Sequence, residues 1–387
     1  MMHDRVTVVL VGIGGYGEMY VSALLDEPQG VQYRIVGVAD PQPDNCSRLT
    51  ELQSRGVPIY PALHDFYRHS AADLAVISSP IQMHAEHTCQ ALAQGSHVLV
   101  EKPAASVIAD VDRMVAARDE MKLAVGVGFQ WSFAPPILQL KRDIIAGRFG
   151  KPRTARCLTL WPRTETYYRR NDWAGRRRDL AGRWILDSPA SNAMAHFLHN
   201  LLFLLGDRLD RSADPVSVTA RLARVNDIET FDTIAAEVRT ESGAVLLFLA
   251  SHAVGEHEAV EPCFILEFED ATIDFAGALA PMTATCSDRS VVQYESPNAT
   301  PQSTKLWTCL GAVTDAGEIP CGLEAARSHT LCIEAVERSG IQVHEFAGQR
   351  VRQVQTPNGT LRWVPGLAEE LAGAYERSDL PDWGDLR

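Results

Sequence analysis

Several groups of residues have the types and spacing that chemistry needs. Gly12-Ile13-Gly14-Gly15-Tyr16-Gly17 fits G-x-G-x-x-G and follows the β-branched run Arg5 to Gly12. In that context the pattern suits a dinucleotide. Gly12 permits a tight turn, Gly14 lets the backbone approach a pyrophosphate, and Gly17 lets helix and strand pack closely. Amide groups at the start of the following helix then face the phosphates. Asp40 ends the second apolar run, where a carboxylate accepts from adenosine ribose hydroxyls. A carboxylate there repels a 2′-phosphate, and Pro41-Gln42-Pro43 brings no arginine, so NAD is expected over NADP.

Two further motifs follow apolar runs: Ser79-Pro80-Ile81-Gln82-Met83-His84 and Glu101-Lys102-Pro103. Ligands of open parallel sheets sit beyond the carboxyl ends of strands, so both motifs belong at a cofactor cleft. Pro103 biases Lys102 toward extended backbone. A lysine there can hold a substrate oxygen and stabilise negative charge developing on it. The plainer reading is a surface ion pair between Glu101 and a neighbour.

A third group is Asn192, His196, His199 and Asn200, which share a helix face in a run ending at Gly206. The flanking Leu201 to Leu205 segment is apolar, so this polar stripe must be satisfied or functional. A metal pair at His196 and His199 has no third ligand nearby, so no metal is expected. A fourth group is the segment Trp161 to Trp184. It holds seven arginines against three acids, a local net charge of +4, and five aromatic residues. Aromatic faces and guanidinium forks suit sugar rings and carboxylates, and Trp161, Arg163, Tyr168 and Arg169 are the candidates for substrate contact. The same residue types also enrich protein interfaces.

Strand and helix signals alternate over the first 130 residues, which predicts a doubly wound parallel sheet with helices on both faces. After Gly128 the texture changes. A helix over 135–148 precedes long β-rich segments at 153–160, 215–225, 230–240, 244–251 and 262–269. Glu241-Ser242-Gly243 separates two of them like a hairpin turn. The expected class is α/β: an N-terminal Rossmann domain, 1–130, then an α/β domain, 131–387, with an open, mostly antiparallel sheet. The tail from Pro381 is expected to wrap the surface.

Of 387 residues, 46% are hydrophobic and 22% charged, which is globular composition. The net charge of −13 argues against nucleic-acid binding. No run of about 20 apolar residues is present, so no membrane partner is expected. Eight cysteines without a Cys-x-x-Cys pair, and a Met1–Gly12 segment without secretory features, predict reduced thiols and a cytoplasmic location.

The glycine loop, Ser-Pro-x-x-x-His at 79–84, Glu-Lys-Pro at 101–103, Val127-Gly128-Phe129-Gln130 and Gly150-Lys151-Pro152 together resemble the glucose–fructose oxidoreductase / inositol dehydrogenase / rhizopine-catabolism (Gfo/Idh/MocA) family. The resemblance covers the first 152 residues and resumes around 187–206. It implies a Rossmann domain plus an open-sheet domain, with Gln130 near the nicotinamide. It implies His196 as the general base that takes a hydroxyl proton while hydride leaves the same carbon. The family usually carries Asp where this chain has Asn192 and His199, so Asn192 is left to orient a sugar hydroxyl. The implied function is NAD-dependent oxidation or reduction of a sugar, sugar acid or cyclitol. An NAD-dependent glycoside hydrolase with a recycled cofactor and a non-catalytic NAD-binding regulator are the alternatives. An apolar open sheet face, together with the resemblance, suggests a homodimer or homotetramer through the C-terminal sheet.

Overall fold

In a computed structural model the described residues are 5–27, 31–315 and 317–382. The chain forms two compact units. The first contains residues 1–133 and 301–327, the second 134–300 and 328–387. A single cut near residue 130 therefore misses the return of residues 301–327 to the first unit.

Six short apolar strands build the first sheet: β1 (Val6–Val11), β2 (Tyr33–Ala39), β3 (Ile59–Tyr60), β4 (Leu74–Ile77), β5 (His97–Val100) and β6 (Val125–Val127). Their order is β3-β2-β1-β4-β5-β6, and all the pairings are parallel. That is the Rossmann order, with its switch point between β1 and β4. Val8, Val9, Leu74, Val76, Leu99 and Val100 are all fully buried, as a sheet covered on both faces requires. The helix Thr304–Asp315 and Cys321 complete this unit; the carbonyl of Cys321 accepts from the amide of Val127 at 2.8 Å.

The second unit holds a nine-stranded sheet: β7 (Pro152–Leu160), β8 (Pro215–Arg224), β9 (Thr233–Thr240), β10 (Val245–Ser251), β11 (Val260–Phe268), β12 (Ala271–Phe275), β13 (Met282–Cys286), β14 (Val291–Tyr294) and β15 (Val343–Glu345). The order is β14-β13-β12-β11-β7-β10-β9-β8-β15. Only β7–β10 and β8–β15 pair in parallel, so the sheet is mostly antiparallel as expected. The turn at Glu241-Ser242-Gly243 joins β9 to β10, with Gly243 at a φ of +85°. A separate hairpin pairs β16 (Arg352–Thr356) with β17 (Gly359–Trp363).

The apolar centre of one sheet face is not open. Leu158, Leu160, Ala235, Leu247 and Leu249 form one core with Leu367, Leu371, Ala374 and Tyr375 of the helix Leu367–Arg377. Farther along the same face the side chains are polar: Glu267 accepts from Thr154 Oγ1 and Arg156 at 2.8 Å each. An apolar open face was the physical ground for association through this sheet, and the chain covers that face itself. Of the expected surface-wrapping tail, residues 383–387 lie outside the described residues. Among the described residues no helix is long and apolar enough to cross a membrane.

Leu371 is fully buried in this core. Leu371→Ala is expected to lower the unfolding free energy by about 2–5 kcal/mol, read from urea melts. An unchanged midpoint would mean that the helix does not hold the sheet face.

Candidate active site

In the first unit the glycine loop joins β1 to the helix Gly17–Asp26. Gly12 has a φ of +81°, and a Cβ on it would lie 2.9 Å from the Ser78 carbonyl oxygen. A Cβ on Gly17 would collide with the carbonyl oxygen of Gly12. Asp40 stands at the end of β2, with Oδ2 accepting from the Ile13 amide at 2.8 Å and Oδ1 from the Gln42 amide at 2.7 Å. Each carboxylate oxygen has a second acceptor direction, so Asp40 can fix the loop and still accept from a ribose. This cradle, with four glycines in six residues and an acid at its edge, fits NAD.

His84 lies between the loops that follow β4 and β5. Its ring is buried, with Nδ1 2.8 Å from the Pro103 carbonyl and Nε2 2.9 Å from the Ser79 carbonyl. It ties the 79–84 loop to the 101–103 loop, while Ser79 Oγ pairs with His87. Pro80 stands just before the short helical turn Ile81–Met83. The Lys102–Pro103 peptide is cis, and Lys102 is half-buried at the end of β5.

Glu101 is not a surface residue. Its Oε1 accepts from Lys305 Nζ at 2.5 Å and from the Tyr20 hydroxyl at 2.5 Å, and its Oε2 accepts from the Lys102 amide at 3.1 Å. Lys305 is fully buried on the Thr304–Asp315 helix. It also donates to the Gly128 carbonyl at 3.3 Å and to the Tyr16 hydroxyl at 3.0 Å. Tyr16, inside the glycine loop, in turn lies 3.5 Å from Gln130 Oε1 and 3.2 Å from Gln302 Oε1. Burial works against the Glu101 charge, yet Lys305 and Tyr20 hold its carboxyl below the usual range. Burial also pulls the Lys305 ammonium below its ordinary value, against the opposing pull of Glu101.

In the second unit the expected single helix over 192–206 is two pieces. Pro189–Ala193 forms a π-turn, capped by Ser188 and Ser191, and Ala195–Leu204 is α-helical. Asn192 and His196 are half-buried, while His199 and Asn200 are buried. His199 stacks on Phe203 at 5.7 Å. Burial, with His329 and Lys141 nearby, pushes it far below its ordinary pKa, so it is a neutral interior ring.

The basic aromatic segment folds beside this helix. Trp161 packs edge-on against Phe197 at 5.4 Å, and its carbonyl accepts from His252 Nδ1 at 2.7 Å. Arg163 lies over the Trp161 and Tyr167 rings at 5.6 and 5.3 Å. Tyr168 packs against Tyr167, and burial raises its hydroxyl pKa well above the usual value. Much of the local charge is neutralised: Arg169 faces Glu165, Arg170 faces Asp187, Arg177 faces Glu337 and Arg183 faces Asp179. Arg169 turns to solvent. Arg170, also exposed, has its guanidinium 3.8 Å from the Tyr167 ring centre and 3.7 Å from Asp187. Lys305, Tyr20, Arg170, Asp187 and His252 were not singled out from sequence, because none of them lies in a motif.

The family comparison decides what these features belong to. Residues 6–129 match the model for an oxidoreductase family with an NAD-binding Rossmann fold, and residues 137–274 match the GFO/IDH/MocA C-terminal domain. The chain belongs to the Gfo/Idh/MocA oxidoreductase family. An inositol 2-dehydrogenase of Klebsiella pneumoniae is 29% identical over 231 residues, which span 58% of this chain and 63% of the relative. The MocA rhizopine catabolism protein of Rhizobium meliloti is 28% identical over 153 residues, 40% of this chain and 46% of the relative. The chain thus matches less than two thirds of the length of these curated relatives. The WlbA dehydrogenase of Bordetella pertussis, solved with NADH and UDP-GlcNAcA, shares the fold at a TM-score of 0.71 with 21% identity, over 88% of this chain and 96% of that one.

For this family member two stability tests follow from the buried charges. Lys305→Met leaves Glu101 buried without its cation and is expected to cost about 3–5 kcal/mol in urea melts. Glu101→Gln/Lys305→Met is expected to cost less than Lys305→Met alone; an equal or larger loss contradicts the pairing. Burial holds His252 at a pKa of about 3, against about 6.5 for an ordinary histidine. The folded chain thus keeps the ring neutral while the unfolded chain binds a proton below about 6.5. Its contribution is full above that value and is lost as pH falls toward 3, by about 2 kcal/mol at about pH 5. His252→Gln is expected to flatten that slope in melts at both pH values.

Proposed function

We propose that the chain is an NAD-dependent oxidoreductase that interconverts a carbinol and a carbonyl on a sugar, sugar acid or cyclitol. The observation that carries this reading is the partial exposure of Asn192 and His196, where His199 and Asn200 of the same stripe are buried. The names of the relatives, inositol 2-dehydrogenase among them, support the substrate class.

Bound NAD supplies the hydride acceptor. His196, partly exposed at the start of its helix, takes the hydroxyl proton as hydride leaves carbon; an imidazole suits this because its ordinary pKa lies near neutrality. Lys102 hydrogen-bonds the same oxygen and lowers the cost of the negative charge that develops there. Asn192 holds a neighbouring hydroxyl. Gly12, Ile13, Gly14, Gly15, Tyr16 and Gly17 cradle the pyrophosphate, and Asp40 takes the adenosine ribose. Trp161, Arg163 and Tyr168 flank the sugar, and Arg170, held over Tyr167, joins Arg169 as a candidate cation.

A purified sample given NAD and a panel of polyols, cyclitols and sugar acids is expected to accumulate NADH with at least one of them. His196→Ala is expected to lower kcat by about 10²–10⁴-fold while NAD still binds. Sugar release with no net NADH would instead identify the hydrolase. Asp40→Ala is expected to narrow the preference for NAD over NADP, and an unchanged preference would remove Asp40 from the ribose site.

A further inference from the structure

This chain lacks the acid that the family usually carries four residues before the histidine; Asn192 stands there. The structure brings another acid to that position. Asn192 Nδ2 donates to Asp187 Oδ1 at 2.8 Å. Asp187 is 3% exposed, and its other oxygen accepts from the Gly175 amide at 2.7 Å. Its backbone is fixed as well: its amide donates to the Arg176 carbonyl at 3.1 Å, and its carbonyl accepts from Thr230 Oγ1 at 2.5 Å.

The preceding residue, Leu186, is buried with a φ of +55°, a left-handed conformation that a residue with a β-carbon rarely adopts. The Ser191 hydroxyl holds the Leu186 carbonyl at 2.5 Å, and Ser188 and Ser191 cap the π-turn that ends near Asn192. Strain of this kind persists where its surroundings over-determine it, and here it delivers a carboxylate to an amide.

We propose that Asp187 is a positioning residue that sets the polarity of Asn192. This rests on the oxidoreductase reading above. An ionised carboxylate only accepts hydrogen bonds, so it must face the NH₂ group of the amide. The amide oxygen then lies on the opposite branch and is presented as an acceptor. In that orientation Asn192 accepts a substrate hydroxyl as an aspartate at the same position would, without adding a charge beside His196. The acid has moved one layer inward and acts through an amide.

The test exchanges the two groups. Asp187→Asn removes the constraint on the amide and is expected to raise KM for the polyol about 10-fold, with kcat reduced less. Asn192→Asp sets two carboxylates against each other, so its melting temperature relative to wild type at the same pH is expected to fall between pH 5 and pH 8. Asp187→Asn/Asn192→Asp restores one amide facing one carboxylate. It is expected to recover KM to within about threefold and to return the pH profile of melting to that of wild type. An Asp187→Asn enzyme that melts like wild type and keeps the wild-type KM overturns the proposal. So does a double variant no better than either single variant. If wild type forms no NADH with any substrate, the functional reading fails instead; the melting series then still decides the pairing, because an Asn192→Asp variant whose melting follows the wild-type pH profile contradicts it.

Discussion

The ion pair between Glu101 and Lys305 holds the cofactor end of the molecule together. One buried ammonium touches the carboxylate at the end of β5, the carbonyl of Gly128 after β6 and the tyrosine of the glycine loop. These three segments line the carboxyl edge of the sheet, where a parallel fold puts its ligand. Removing either charge leaves the other buried without compensation, which is far more costly than never having built the pair. Lys102 follows Glu101 directly, so the direction of the proposed substrate lysine is inherited from a residue about two hundred positions later in the chain.

In the second unit backbone geometry plays the corresponding part. A left-handed Leu186, a serine-capped π-turn and a joint at Met194 together divide the histidine-bearing segment. A continuous helix over 192–206 would carry its polar stripe uniformly. The break at Met194 separates Asn192 from the helix that carries His196, His199 and Asn200, and along that helix His196 stays half-buried while His199 and Asn200 enter the core. Arginine and aromatic side chains fill the adjoining space, and their charges are largely met by Glu165, Asp179, Asp187 and Glu337. Glu165 and Asp179 already count in the local excess of +4, so Asp187 and Glu337 halve it to +2.

The sheet of the first unit was legible because its strands are continuous apolar runs and its glycine loop obeys a steric rule. The Glu-Lys-Pro and Ser-Pro-x-x-x-His motifs were legible as strand ends. What each residue does was less so. Glu101 reads as exposed because acids usually are, and its partner Lys305 sits in an ordinary apolar-spaced helix. Strands β12 to β14 escaped notice because each is short and alternates with polar residues, as in Ala271–Phe275. The covering of the sheet by Leu367–Arg377 could not be read from the strands, which report only that a face is apolar. Asp187 was hidden because it acts across five residues through a turn whose π-geometry has no simple sequence signature.

Direct hydride transfer is the claim on which the account stands. A polyol deuterated at its carbinol carbon, taken through a single turnover with the purified chain and NAD, tests it most directly. The account predicts that deuterium appears on the nicotinamide ring of the NADH released, and that the organic product is the ketone. Deuterium retained on the sugar after turnover, or lost to water, would contradict it.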